Sequence, residues 1–212
     1  MRIETVLFDL DGTLINSNEL IYLSFAHTME TYGFKFTAEE LKAFNGPPLW
    51  DTFNKFNPGQ EEKMIRTYRE HNHLIHDDYV KVFPYVIETI KQLKDKNIKI
   101  GIVTSKMRSG VTHGLTFTTL DQYIDTVVTV DDVTHSKPHP ESVIKAMEQL
   151  NGEPRTTLMV GDNSHDILAG QQAGVWTAGV AWTDKGKDYL ASYKPTYMLE
   201  DMRALLEIVE VS

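Results

Sequence analysis

The period of the apolar positions changes several times along the chain, and each change marks an element. Ile3, Val6, Leu7, Phe8 and Leu10 fall in a short run that halts at Asp11–Gly12, the pattern of a buried strand. Runs of the same kind recur at 98–104 (IKIGIVT), 126–130 (TVVTV), 157–161 (TLMVG) and 175–181 (VWTAGVA). Between most of them the spacing lengthens to that of a helix: 85–96 with Val86, Ile90 and Leu93 facing inward, 140–150 with Val143, Ile144, Met147 and Leu150, and 166–173. Strands that alternate with helices predict a parallel sheet covered by helices on both faces. The expected fold class is α/β with a Rossmann-like core, and Trp176 is expected inside it.

Residues 16–82 break this rhythm, and no run there reads as a strand. A helix opening near Ser17 carries Ile21, Phe25, Met29 and Tyr32 at helical spacing and stops at Gly33. Thr37 followed three residues later by Glu40 is a capping-box pattern that opens a second helix through Leu41 and Phe44, closed by Gly46–Pro47–Pro48. A last helix runs through Met64, Ile65, Tyr68 and Ile75. The prediction is an all-helical insert over 16–82, with Met29 and Met64 in its core, between the two parts of an α/β core, 1–15 and 83–212. Ligands in open parallel sheets bind at the carboxyl ends of strands. The insert leaves the first strand at that end, so it is expected to serve as a lid.

The polar residues at the strand ends carry the chemistry. Asp9 and Asp11 lie two apart and so point to one side of an extended chain. Thr104–Ser105–Lys106 follows the second run, Lys137 sits in SKPHP after the third, and Asp162 and Asp166 sit in GDNSHD after the fourth. With these strands side by side in one sheet, all of these groups converge at one edge. Four carboxylates in one pocket cannot all stay ionised unaided. A divalent cation resolves the conflict, and an all-oxygen donor set suits Mg²⁺. Carboxylates, Mg²⁺ and a lysine are the equipment of phosphoryl transfer. The run His71, His73, His76, Asp77, Asp78 reads instead as a solvated helix end.

Composition narrows the partners. The chain has 212 residues and a net charge of −9 spread along it. This disfavours nucleic acid or an anionic membrane as partner but leaves room for a small anionic substrate in a locally positive site. The absence of cysteine excludes disulfides and thiolate–zinc sites. No segment reaches the roughly 20 apolar residues that span a bilayer. The apolar stretch at the N-terminus is short and broken by Asp9, unlike a secretion signal, and the lack of cysteine makes the cytoplasm the expected location. Oligomeric state is not legible.

The segments LFDLDGTL, IVTSK, SKPHP and VGDNSHD, in that order, resemble the four motifs of the haloacid dehalogenase-like phosphohydrolases. The likeness spans almost the whole chain, and the insertion point matches the helical cap of that family's subclass I. The resemblance implies Asp9 as a nucleophile forming an aspartyl-phosphate and Asp11 as general acid and then base. It implies Thr104 and Lys137 as phosphate ligands, with Asp9, Leu10, Asp11, Thr104, Ser105 and Lys137 around the substrate. It also implies Mg²⁺ held by Asp9, the main-chain carbonyl of Asp11, and Asp162, with Asp166 in support. Members that cleave C–halogen or C–P bonds lack the second aspartate; its presence here favours P–O cleavage. Further stretches, LINSNELI, FNGPPLWDTF, VDDVTHSKPHPE, AGVAWTDKG and YKPTYMLEDM, are similar to a pyrophosphate-hydrolysing branch of the family in low-GC Gram-positive bacteria. That branch is implied to remove pyrophosphate formed when the serine-phosphorylated carrier protein HPr is dephosphorylated by phosphorolysis. Two alternatives stay open: a phosphatase for phosphoglycolate or another small phosphomonoester, and a sugar phosphomutase. Lys106 and Arg108 stand where they can either reach a second phosphate or serve only the surface.

Overall fold

The computed structural model describes residues 2–45 and 47–210. It divides into two compact units, one of Met1–Asn16 with Val82–Ser212 and the other of Ser17–Lys81. The first unit is built on β1 (Thr5–Phe8), β4 (Lys99–Val103), β5 (Thr126–Val128), β6 (Thr157–Gly161), β7 (Trp176–Val180) and β8 (Tyr197–Leu199), all parallel, in the order β5-β4-β1-β6-β7-β8. Every residue of β1 and β6 is buried. That is why both read as unbroken apolar runs rather than alternating ones.

Helices cover the sheet. α7 (Glu141–Gln149) lies against β1, β4 and β5, α8 (Ser164–Gln172) against β6 and β7, and α5 (Val86–Asp95) against β4 and α10 (Ala204–Glu210). One cluster, with Leu7, Val103, Val128, Val143, Ala146, Met147 and Met159, joins α7 to the sheet. Two more helices of this unit, α6 (Arg108–Phe117) and α9 (Lys187–Ala191), were not legible in the apolar spacing. β8 also escaped, because it is three residues long and two of them are only half-buried. Trp176 is not a core residue: it is half-buried at the start of β7, and its indole N–H donates to the Arg155 carbonyl at 2.9 Å.

The second unit is helical: α1 (Asn18–Thr31), α2 (Ala38–Lys42), α3 (Leu49–Phe56) and α4 (Glu61–Tyr79). Its core holds Phe25, Met29, Leu41, Phe53, Met64 and Tyr68. Phe25 packs against Tyr68, Phe44 and Phe53 with ring centroids 4.8, 5.5 and 5.9 Å apart, contacts worth about 0.5–1.5 kcal/mol each beyond area burial. Thr37 and Glu40 close a reciprocal capping box at the start of α2. The buried hydroxyls of Ser24 and Thr28 donate to the carbonyls of Leu20 and Ser24, each at 2.7 Å, so α1 hides two polar side chains without leaving them unpaired. α3 was not expected, although Leu49, Phe53 and Phe56 are helically spaced; Phe53 is fully buried and Trp50 is 48% exposed. Gly46, part of the turn expected before it, lies outside the described residues.

Two strands of two residues, β2 (Ile15–Asn16) and β3 (Lys81–Val82), pair where the chain passes between the units. Elements this short carry no period, so the reading of 16–82 as strand-free missed them. The Phe83 amide donates to the Leu14 carbonyl at 3.0 Å beside them. Among the described residues no helix is long and apolar enough to cross a membrane.

Candidate active site

β1 sits at the centre of the sheet with β4 on one side and β6 on the other. The register sets Phe8 opposite Ile102 and Val160. Asp9 is therefore level with Val103 and Gly161, and Thr104 and Asp162 emerge one residue further on. Two hydrogen bonds carry the ladder past the strand ends: the Asp9 amide to the Val160 carbonyl at 2.9 Å, and the Thr104 amide to the Val128 carbonyl at 3.0 Å. This is the point where strand order reverses direction from β1, the usual place for a ligand in such a sheet.

Lys137 reaches this edge from the segment after β5. Its ammonium donates to Asp166 Oδ1 at 2.6 Å, Asp9 Oδ1 at 2.7 Å and the Val103 carbonyl at 2.9 Å, which occupies all three of its protons. Asp166 divides its carboxylate: Oδ1 meets Lys137, and Oδ2 accepts the Asn163 amide at 3.0 Å as the return half of a capping box that opens α8. One side chain thus starts a helix and holds the lysine.

Asp9, Asp162 and Asp166 are all buried, and one carboxylate oxygen from each lies within 4.8 Å of the other two. Burial, reinforced by Asp166 and Asp11, outweighs the pull of Lys137 and raises Asp9 from 3.8 to about 7. Burial likewise lifts Asp162 well above the carboxylate range, with Asp9 and Asp166 adding to the rise and Lys137 and Lys185 opposing it. Burial alone would depress Lys137, but the Asp166 and Asp9 carboxylates hold it above its ordinary value. Three buried carboxylates with one fully engaged ammonium form a site short of positive charge, and their oxygen donors fit a hard divalent cation. Gly12 makes room for this crowding. Its φ is +83°, and a Cβ there would stand 2.4 Å from Asp162 Oδ2.

Asp11 has a lysine of its own: Lys106 Nζ donates to Asp11 Oδ1 at 3.0 Å, while the Lys106 amide donates to Thr104 Oγ1 at 3.1 Å. Arg108 is occupied elsewhere. Its guanidinium donates to the Val127 carbonyl at 3.1 Å and to Asp132, and its amide to Asp131 at 2.8 Å. Thr104 is buried at the end of β4 and Ser105 beside it is exposed. The Leu10 side chain is fully buried, so only its backbone can face a ligand.

Lys185, after β7, was not singled out from the sequence. It is half-buried; burial lowers its pKa, and Asp162 and Asp166 counter that fall. The rule that picked out the other residues, a polar group just past a strand, applies to it equally. In the helical unit, the histidine-rich end of α4 is not simply solvated: His76 is 3% exposed, with Nδ1 2.8 Å from Asp77, and the His71 ring stacks on His27 at 4.1 Å.

The chain resembles known proteins over its whole length. It is 51% identical over 209 residues to a protein of Oceanobacillus iheyensis named Pyrophosphatase PpaX, covering 99% of this chain and 98% of that one. It is 53% identical over 213 residues to a protein of the same name from Anoxybacillus flavithermus, covering 100% and 99%. A solved haloacid dehalogenase-like family hydrolase from Streptococcus pneumoniae, 22% identical, superposes with a TM-score of 0.87 over 97% of this chain and 98% of its own, a likeness of fold. The model of the haloacid dehalogenase-like hydrolases matches residues 6–180, which hold every member of the acidic cluster and its lysine. On this match and these relatives, the chain belongs to the haloacid dehalogenase-like hydrolase family.

Proposed function

We propose that this protein hydrolyses inorganic pyrophosphate to two phosphates with Mg²⁺ as cofactor. The observation that carries the substrate is the 51–53% identity to proteins named pyrophosphatase, spread over at least 99% of this chain and so over both units. With a divalent cation on its carboxylates, a site that also has Lys137, Lys106 and Lys185 around it suits a small, highly charged anion.

Asp9 is the nucleophile. Its carboxylate oxygen attacks one phosphorus, the bridging P–O bond breaks, and phosphate leaves with a proton supplied by Asp11. A water molecule then attacks the phosphorus of the aspartyl-phosphate and gives its proton to Asp11, releasing the second phosphate and restoring both carboxyl groups. Lys137 holds Asp9 in place and offers positive charge to the phosphoryl oxygens, with Thr104 beside it. Asp9, Asp162 and the main-chain carbonyl of Asp11 would hold Mg²⁺, with Asp166 steadying the set through Lys137. The ion supplies charge neutralisation for the carboxylates and the phosphoryl oxygens. The residues are expected to work in the cytoplasm, removing pyrophosphate formed in the phosphorolytic dephosphorylation of serine-phosphorylated HPr. Residues 16–82 are the cap in this reading.

Phosphate release from pyrophosphate, phosphoglycolate and p-nitrophenyl phosphate tests this, each with Mg²⁺, with EDTA, and with the Asp9→Asn protein. Pyrophosphate is expected to turn over fastest, and only with Mg²⁺ and intact Asp9. Faster turnover of either ester overturns the substrate, and full activity of Asp9→Asn overturns the covalent route.

A further inference from the structure

Two histidines flank Lys137 in the sequence, His135 and His139, and both keep to the surface, with side chains 62% and 50% exposed. Beside both rings lies Glu141, the first residue of α7. Its carboxylate is pinned from below: Oε1 accepts the Thr134 amide at 2.8 Å and Oε2 the His135 amide at 3.0 Å. His135 Nδ1 lies 2.9 Å from Oε2 and His139 Nδ1 lies 4.0 Å from the same atom. The two rings are 4.6 Å apart, and one donor atom from each of the three residues falls within 4.8 Å of the others. The backbone hydrogen bond from Thr134, with the contacts of His135, holds Glu141 down at about 2, so it is an anion throughout the working range.

We propose that His135, His139 and Glu141 bind a divalent transition-metal ion, Zn²⁺ or Ni²⁺, with water completing the shell. Two imidazole nitrogens and one carboxylate oxygen suit these borderline ions and not Mg²⁺, which prefers oxygen alone. This separates the site chemically from the acidic cluster. The geometry is close to what is required. Metal–ligand bonds of about 2.0–2.2 Å in a tetrahedral shell set neighbouring donors roughly 3.3–3.5 Å apart. The His135–Glu141 separation of 2.9 Å must widen by a few tenths of an ångström, and the His139–Glu141 separation of 4.0 Å must close by slightly more. Rotation of exposed rings provides both. The ion takes the place of the proton shared by His135 and Glu141 and breaks one long hydrogen bond, from the Glu141 amide to His139 Nδ1 at 3.3 Å. Pro138 and Pro140 fix φ on either side of His139, which lowers the entropy lost when the segment is held. Because the same segment carries Lys137, an ion bound there ties the outer side of the loop to α7.

The test uses the full chain and a His135→Ala/His139→Ala variant, with Ni²⁺ as probe in an excess of Mg²⁺ to fill the oxygen site. Calorimetric titration is expected to give one tight Ni²⁺ equivalent for the parent and at least about tenfold weaker binding for the variant, in line with the usual loss on disturbing a metal site. Paramagnetic Ni²⁺ should broaden amide resonances of residues 134–141 first. Six other histidines remain in the variant. Equal affinity in the two proteins, no Ni²⁺ binding by the parent, or broadening centred elsewhere overturns the proposal.

Discussion

Lys106 Nζ stands 3.0 Å from Asp11 Oδ1, 95 residues away in the chain. The first aspartate of the pair is therefore met by Lys137 and the second by Lys106, so each carboxylate of the opening motif faces its own ammonium. The Asp11 pair is the more open one, with side chains 20% and 18% exposed. Its contribution to stability should be below about 1 kcal/mol, and its effect should fall on turnover. Lys106→Gln is expected to lower kcat/KM for pyrophosphate by about 10–100-fold, the equivalent of one charged hydrogen bond. Arg108→Gln should leave it near the parent value. Phosphate-release kinetics on the two variants check this.

Lys137→Met leaves Asp9 and Asp166 facing each other with no ammonium between them. Removing one partner of a buried ion pair costs about 3–5 kcal/mol, and urea denaturation near neutral pH should show a loss of that order. The loss should shrink in acid as Asp9 takes up a proton. Lys137→Arg is not expected to restore activity, because three acceptors at 2.6–2.9 Å converge on one nitrogen, which a planar guanidinium cannot match.

Asp9 carries a folded-state pKa of about 7 against 3.8 when unfolded. The folded state thus holds the proton more tightly, so without a divalent cation stability should fall as pH rises from about 4 to about 7. A cation that replaces the proton reverses this. Thermal scans should show a large Mg²⁺-dependent rise in Tm at about pH 8 and a small one at about pH 5. With EDTA at the higher pH, Asp9→Asn should melt above the parent, since it removes a buried charge that the parent must accommodate. Equal Mg²⁺ responses at both pH values would put the ion away from Asp9.

Gly12→Ala should cost more than about 2 kcal/mol and abolish activity, because the new Cβ would meet Asp162 Oδ2 at 2.4 Å and φ is +83°. Gly33→Ala separates the two causes. Its φ is +85° with nothing within 4 Å of the added carbon, so only the backbone cost of about 1 kcal/mol should remain. Denaturant midpoints for the two variants give the comparison.

The sheet was readable because its central strands are buried on both faces, which turns them into apolar runs bounded by polar residues. The runs at 3–10, 98–104, 126–130, 157–161 and 175–181 each contain an observed strand. β8 was not readable, because a three-residue edge strand that is half-buried has no run to show. α3 was hidden by the Gly–Pro–Pro signal ahead of it, although its apolar spacing is helical. The rule of polar groups at strand ends pointed to Asp9, Thr104 and Asp162, and one register brings all three to the same end of the sheet. It could not tell that Lys106 turns to Asp11 while Arg108 turns to Asp132, since that choice depends on side-chain direction two residues apart. Nor could it see His76 buried, because it stands in a run rich in polar residues from His71 to Asp78.

The ammonium of Lys137 is gripped by groups at positions 9, 103 and 166. The ribosome therefore delivers Asp9 almost first and the last of the groups that grip its lysine more than three-quarters of the way along. A polypeptide cut short before α8 would hold Lys137 by only two of its three acceptors, Asp9 and the Val103 carbonyl. The setting of its opening residues is thus completed only by its late ones.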